Sequence, residues 1–378
     1  LPHTDGTLPA RYDVVVIGGG PAGLSAAVTL ARAQRSVLVI DAGAPRNAPA
    51  RGVHGFLTRE GMDPRALLAA GRGEAEAYGA VVLDGEATSL RRTAEGFGVE
   101  LGDGRAAAGR RLLLATGLED GLPAITGLRE QWGAGVVHCP YCHGYEIRGQ
   151  RIGILGTGPL SVHQALLFRQ WSEKITLFLH DTVEPTEEEW EKLAARSISV
   201  VDGRVVSVDQ ADGVLTGVTL EDGAHIDRDA LAVGTRMNAR GGLLEGLGLD
   251  LQDHPTGMGS FIEPGPMGST AASGVYVAGN VSNLSAQVIV AAAEGTMAGA
   301  MINAHLIEEE TAWAVEGRSG PFSAAGEAEV SERVLGKRHL GLHDGAVTPA
   351  PGTDTTTPTP MPTLALTTTP DEGVHHAR

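Results

Sequence analysis

The chain has 378 residues and two cysteines, and both lie in the run His138-Cys139-Pro140-Tyr141-Cys142-His143-Gly144. A C-x-x-C pair can close into a small disulfide ring, and a thiolate serves as both nucleophile and leaving group in exchange. The flanking histidines take up and release protons near neutral pH. Cys139, Cys142, His143 and His138 are therefore the candidate catalytic residues, and the chemistry is that of a redox-active dithiol. Zinc suits these residues poorly, because four ligands crowded into six consecutive positions cannot easily surround a tetrahedral ion. No metal site is expected. A structural disulfide is disfavoured in a compartment that keeps thiols reduced.

A dithiol needs an electron partner, and the residues upstream supply the cradle for one. Tyr12 to Ile17 is an apolar, β-branched run of the kind buried on both faces of a parallel sheet. It leads into Gly18-Gly19-Gly20-Pro21-Ala22-Gly23 and a small-residue helix expected from about Pro21 to Gln34. In this strand-turn-helix context Gly18 allows the tight turn, Gly20 the approach of a pyrophosphate, and Gly23 the packing of helix on strand. Pro21 suits the first helical turn. Asp41 ends the next strand at about the twenty-residue spacing of a ribose-binding acid. Dinucleotide binding follows from the glycines and the placed acid together.

A second β-α-β unit lies beyond the cysteines. It comprises a buried strand from Arg151 to Leu155, the turn Gly156-Thr157-Gly158-Pro159-Leu160-Ser161, a helix to Gln170, and a strand from Lys174 to Leu179. Thr186 and Glu189 form a capping box for a helix from Glu187 to Ala195. A long helix is expected from about Ser285 to Ile307, and a shorter helical patch from Gly326 to Gly336. An isolated loop histidine, His54, reads as an ordinary surface group. From Thr348 to Pro370 threonine and proline dominate, and disorder is expected from about residue 345.

Composition excludes several partners. A formal net charge of -17 disfavours nucleic acid and anionic membranes. Glycine at 53 residues with 4% aromatics suits many tight turns and nucleotide loops. No apolar run reaches the roughly 18 residues of a membrane span. The first ten residues lack a basic and apolar secretory leader, so a cytoplasmic location is expected.

The motifs together resemble those of the low-molecular-weight thioredoxin reductases and related class II pyridine nucleotide-disulfide oxidoreductases. The likeness covers nearly all of Arg11 to His305. It rests on Gly18 to Gly23, Ala115-Thr116-Gly117, Cys139 to Gly144 followed by Arg148-Gly149, and Val277-Ala278-Gly279-Asn280. The resemblance implies an α/β fold with two Rossmann-like dinucleotide-binding domains and a disordered C-terminal tail. The FAD domain would be discontinuous, residues 11–120 with 241–308, and an NAD(P)-like domain carrying the dithiol would be inserted at 121–240. Residues 309–378 would form an extension. It further implies non-covalent FAD and a homodimer, with Gly18, Gly20, Pro21, Ala22, Gly23, Asp41, Asn47, Thr116, Gly117, Gly279, Asn280 and Gln287 at the flavin nucleotide. Cys142 would lie nearer the flavin and Cys139 would exchange with substrate.

Three departures from the family pattern bear on function. His143 replaces the proton-carrying aspartate after the second cysteine, and its cation would favour a Cys142 thiolate. The variant C-P-x-C-H-G looks like that of flavin-dependent dithiol oxidases acting on natural products. Leu179-His180-Asp181, with Glu184 nearby, stands where paired arginines hold the NADPH 2′-phosphate, and a carboxylate repels that dianion. NAD(P)H binding at Gly156, Gly158 and Asp181 is thereby weakened. Asn280 replaces an aspartate and could hydrogen-bond the ribityl chain through its amide, and Ala286 replaces an arginine. The expected activity is oxidation of a small-molecule dithiol to a disulfide with O2 as acceptor. The alternatives are an NAD(P)H-dependent reductase of a thioredoxin-like protein or small disulfide, and a non-catalytic flavin redox sensor.

Overall fold

The computed structural model describes residues 11–318 and 323–335. The chain opens with β1 (Tyr12–Ile17), α1 (Pro21–Arg32), β2 (Val37–Asp41), α2 (Pro64–Ala77) and β3 (Val81–Asp84). β1 pairs in parallel with β2 on one side, which explains its unbroken apolar run: Val14, Val15 and Val16 have no exposed surface. α1 starts on Pro21, whose missing N–H would have no helical partner anyway. It stops at Arg32, earlier than expected, because Gln34 turns left-handed with φ 63°. Asp63 caps α2 by accepting from the N–H groups of Arg65 and Ala66.

An antiparallel meander follows, β4 (Ala87–Thr93), β5 (Gly96–Leu101) and β6 (Ala106–Leu114). β6 is long because its first half pairs with β5 and its second half with β1. β7 (Leu118–Gly121) carries the chain away from this sheet.

The second sheet is built from β8 (Val136–Val137), β9 (Ile152–Leu155), β10 (Ile175–Phe178), β11 (Ser199–Val201) and a later strand, Ala230–Val233, all parallel. Between β8 and β9 sits the short helix α3 (Pro140–His143), and α4 (Ser161–Phe168) and α5 (Glu187–Ala195) connect the next strands. The capping box at α5 is present, with Glu189 N–H donating to Thr186 Oγ1 and Thr186 N–H to the Glu189 carboxylate. β12 (Val205–Ala211), β13 (Val214–Leu220) and β14 (His225–Asp227) form an antiparallel sheet of their own. They precede β15, the Ala230–Val233 strand.

β16 (Arg236–Ala239) returns antiparallel to β7, within a small sheet completed by β17 (Gln252–Asp253) and β18 (Gly259–Phe261). β19 (Val275–Val277) then rejoins the first sheet, parallel to the second half of β6. Two mixed α/β layers result, each the two-layer solution for burying an apolar sheet face under helices.

α6 (Val288–Gly317) begins later than expected. The residues before it are held in a turn, where Asn280 Nδ2 donates to the carbonyls of Asn283 and Ala286. It also continues past Ile307, and Arg35 and Arg110 pair with Glu310. A Cβ at Gly295 would lie 2.0 Å from the Ala22 carbonyl oxygen, so α6 presses directly on the start of α1. Contacts divide the chain at Glu310. The second unit contains, among its described residues, the end of α6 and α7 (Ala324–Leu335). The Thr/Pro stretch from residue 348 and Gly336 lie outside the described residues. No described helix is long and apolar enough to cross a membrane.

Candidate active site

The cysteines stand where the chain leaves β8. Cys139 is in extended conformation and caps α3, with Pro140 in the first helical position. Two bonds fix this exit to the second sheet. His138 donates through Nδ1 to the Val233 carbonyl at 3.0 Å, and Gln164 of α4 donates to the His138 carbonyl at 3.0 Å. The turn closes through the N–H groups of Cys142 and His143, both donating to the Cys139 carbonyl. Gly144 must be glycine, because a Cβ there would lie 2.8 Å from the Trp171 ring. Trp171 in turn meets Tyr141 edge to face at 5.6 Å between centroids.

Both cysteines are half-buried, with their sulfurs 2.8 Å apart and Cys142 donating to Cys139. That hydrogen bond is the main reason the Cys139 pKa falls to about 7; the N–H groups of Cys142 and Tyr141 and the charge of Arg46 add to it, and burial opposes it. Cys142 moves the other way: its bond to Cys139, burial and the charge of an ionised Cys139 all hold its proton. Ionisation of the pair thus starts at Cys139. The expectation that a His143 cation favours a Cys142 thiolate is corrected here. Burial pushes the His143 pKa down, so the ring is neutral at pH 7 and is a proton acceptor. Its Nδ1 is buried and has no hydrogen-bond partner among the described residues. Burial likewise lowers the pKa of His138.

One cavity of about 1940 Å³ joins this turn to the glycine loop of β1–α1. Its lining includes all four candidate catalytic residues together with Gly18, Gly20, Pro21, Ala22, Asp41, Asn47, Thr116, Gly117, Gly279, Asn280 and Gln287. Gly23 is absent from it, because it packs beneath the loop, where a Cβ would be 1.9 Å from the Gly18 carbonyl oxygen. The cradle fits a dinucleotide. Gly18 has φ 110° and lies against the Ala115 carbonyl, whereas a Cβ at Gly20 would meet nothing within 4 Å, leaving open space above the helix start. A phosphate there meets the N-terminal end of α1. Asp41 orders the loop as well, its Oδ1 accepting from the N–H groups of Gly19 and Gly43. Within the Asn280 amide, Nδ2 is engaged by the loop before α6, so the carbonyl oxygen is the part of the amide left for a ligand. The Gly279 N–H is held by Glu294.

The second nucleotide loop has a different character. Ser161 Oγ accepts from the N–H groups of Thr157 at 3.0 Å and Gly158 at 3.3 Å, so the loop's own serine occupies donors that a pyrophosphate would need. Gly158 lines the large cavity, but Gly156 and Asp181 do not. Gly156 is buried against the carbonyls of Phe178 and Leu179. His180 and Asp181 are left-handed, at φ 53° and 51°, and His180 Nδ1 accepts from the Val205 N–H.

The structure adds residues that sequence reasoning missed. Arg46 forms a two-pronged ion pair with Asp120, 2.7 Å for each bond, and Thr235 donates to the same carboxylate. The Asp120 side chain is 7% exposed, and the Arg46 charge reaches both cysteines. The two residues are 74 positions apart, and no local pattern announces the pair. His54, expected to be an ordinary surface group, instead holds Glu60 at 2.6 Å and faces Glu146 at 3.6 Å, beside the dithiol turn.

Comparison with known proteins agrees with this geometry. A family model for pyridine nucleotide-disulphide oxidoreductase matches residues 12–295. The chain is 33% identical over 308 residues to thioredoxin reductase tcpT of Claviceps purpurea, covering 79% of this chain and 95% of that one. The crystal structure of HlmI superposes with a TM-score of 0.78 at 42% identity, over 83% of this chain and 98% of that one. The oxidoreductase from Agrobacterium tumefaciens superposes with a TM-score of 0.74 at 37% identity, over 79% and 99%. This chain belongs to the pyridine nucleotide-disulphide oxidoreductase family and is a flavin-dependent disulfide oxidoreductase of the thioredoxin reductase-like kind.

Proposed function

We propose that the protein oxidises a small dithiol to its disulfide, with O2 as the final acceptor. The observation that carries this reading is the second nucleotide loop, whose phosphate-binding N–H groups are held by Ser161 and whose cationic 2′-phosphate site is replaced by His180 and Asp181. A nicotinamide donor then binds poorly, and electrons enter through the cysteines.

In the oxidised enzyme a substrate thiolate attacks Cys139 Sγ and breaks the Cys139–Cys142 bond, leaving a mixed disulfide and Cys142. The second substrate thiol displaces Cys139, so the substrate loses two electrons and two protons and the enzyme gains them as two thiols. Cys139 suits the exchanging role because its low pKa makes it a good leaving group. Cys142 keeps its proton until a base takes it, and neutral His143 is the adjacent base. FAD, when bound, supplies a two-electron acceptor that O2 can reoxidise. We propose residues 11–120 and 241–308 as the FAD domain, 121–240 as the domain carrying the dithiol, and a homodimer as the assembly.

Anaerobic titration tests the direction. Stoichiometric dithiothreitol should bleach the bound flavin, stoichiometric NADPH should not, and air should restore the colour with O2 consumed. Rapid bleaching by NADPH with none by dithiol would reverse the reading to a reductase of a thioredoxin-like or small disulfide.

A further inference from the structure

His143 sits at the dithiol with a buried, unpartnered Nδ1, so a proton taken from Cys142 needs a path onward. In the oxidase direction, closing the Cys139–Cys142 bond gives up two electrons, to FAD when it is bound, and releases one proton from each sulfur; in the reverse direction, opening the bond takes up the same two electrons and two protons. The Cys139 proton leaves readily near neutral pH, and the Cys142 proton does not.

Glu146, His54 and Glu60 form a line of titratable side chains beside the dithiol turn. Glu146 lies three residues beyond His143, and its charge reaches both His143 and Cys142. His54 comes from the loop between β2 and α2 and also lines the cavity. Its Nε2 faces Glu146 Oε1 at 3.6 Å, and its Nδ1 donates to Glu60 Oε1 at 2.6 Å. Glu60 is fixed in turn by the Gly55 N–H at 2.9 Å, and its side chain is 67% exposed. The titratable groups facing His54 are thus Glu60 on its own loop, and Glu146 and His143 on the dithiol turn. The 3.6 Å separation is ion-pair distance and exceeds a hydrogen bond, and the Glu146 side chain is half-exposed.

We propose that His54, acting through Glu146, relays the proton released at His143 to solvent at Glu60. The loop that carries His54 lines the same cavity as the glycine loop and the dithiol, so the relay joins two of its lining segments. The inference rests on the redox role of the dithiol given above, not on the identity of the final acceptor.

The test uses holoenzyme with dithiothreitol and O2, comparing wild type with His54→Ala and His54→Gln. Turnover in both variants should fall roughly tenfold to a hundredfold, with KM for dithiothreitol unchanged and melting temperature within a degree or so of wild type for His54→Gln. Free imidazole should restore His54→Ala in proportion to its neutral fraction, and anaerobic bleaching of the flavin should slow by the same factor. A kcat within twofold of wild type from pH 6 to 8, or a loss that imidazole leaves untouched, overturns the relay. Should wild type prove to be driven by NADPH instead, only the oxidase reading falls. The same variants and the same imidazole rescue then read the relay in NADPH-driven reduction of an aromatic disulfide.

Discussion

Cys142 donates its thiol hydrogen to Cys139 across 2.8 Å, and this one contact separates two chemically identical side chains into a ready nucleophile and a reluctant acid. A pair with equal pKa values would offer substrate either sulfur. Here Cys139, the sulfur that precedes the turn, ionises first.

The asymmetry predicts a pH profile. Because the Cys139 pKa is lowered to about 7, its thiolate grows as pH rises through that value and is nearly complete by about pH 8. Alkylation of the reduced enzyme by iodoacetamide should follow that curve, with mass spectrometry finding the first label on Cys139. Cys142→Ala removes the donor and should move the midpoint upward. An unmoved midpoint would show that the contact does not set the acidity.

The glycine loop predicts a contrast between two neighbouring substitutions. Gly20→Ala adds a methyl into open space, so the apoprotein should keep its stability while FAD affinity drops. Gly23→Ala drives a methyl against the Gly18 carbonyl oxygen and should lower stability by about 1–3 kcal/mol or more. Urea unfolding of apoprotein and flavin retention on gel filtration separate the two; equal effects on both measurements would mean that Gly20 is not part of a ligand cradle.

Arg46 and Asp120 are predicted to be coupled. Arg46→Ala leaves a largely buried carboxylate with Thr235 as its remaining donor, and should cost about 2 kcal/mol, between the values for exposed and fully buried pairs. The Arg46→Ala, Asp120→Ala double variant should recover part of that loss. Arg46→Ala should also raise the midpoint of Cys139 alkylation, since a positive charge that favours the thiolate is gone. Strict additivity of the two substitutions in urea melts would argue against the pair.

Ser161→Ala should cost roughly 1 kcal/mol by unpairing the Thr157 and Gly158 N–H groups. The freed donors should let NADH bleach the flavin faster than in wild type, with NADPH still ineffective because Asp181 remains. If the serine variant responds to neither nucleotide, the loop is blocked by more than its own side chain.

Much of this protein was legible in the order of its residues. Gly18 to Gly23 after an apolar strand, Asp41 at the end of the next, and Thr186 with Glu189 before a helix are local patterns. Each is decided by backbone geometry within a few positions, so each appears in the structure where it was expected. The cysteine spacing likewise announces a dithiol, because C-x-x-C brings the sulfurs together within one turn.

What the order of residues could not decide is everything that depends on distant segments meeting. A cation favouring Cys142 is a sensible inference from His143 taken alone, yet burial under the folded walls makes that ring neutral, and the hydrogen bond from Cys142 gives the acidity to Cys139. Arg46 reaches Asp120 in β7, 74 positions on, and His54 reaches Glu146 beside the dithiol turn, about ninety positions on, only because the β2–α2 loop folds against both. Spacing determines which groups a turn presents. Desolvation and long-range charge determine what those groups do, and both exist only once the chain has closed around them.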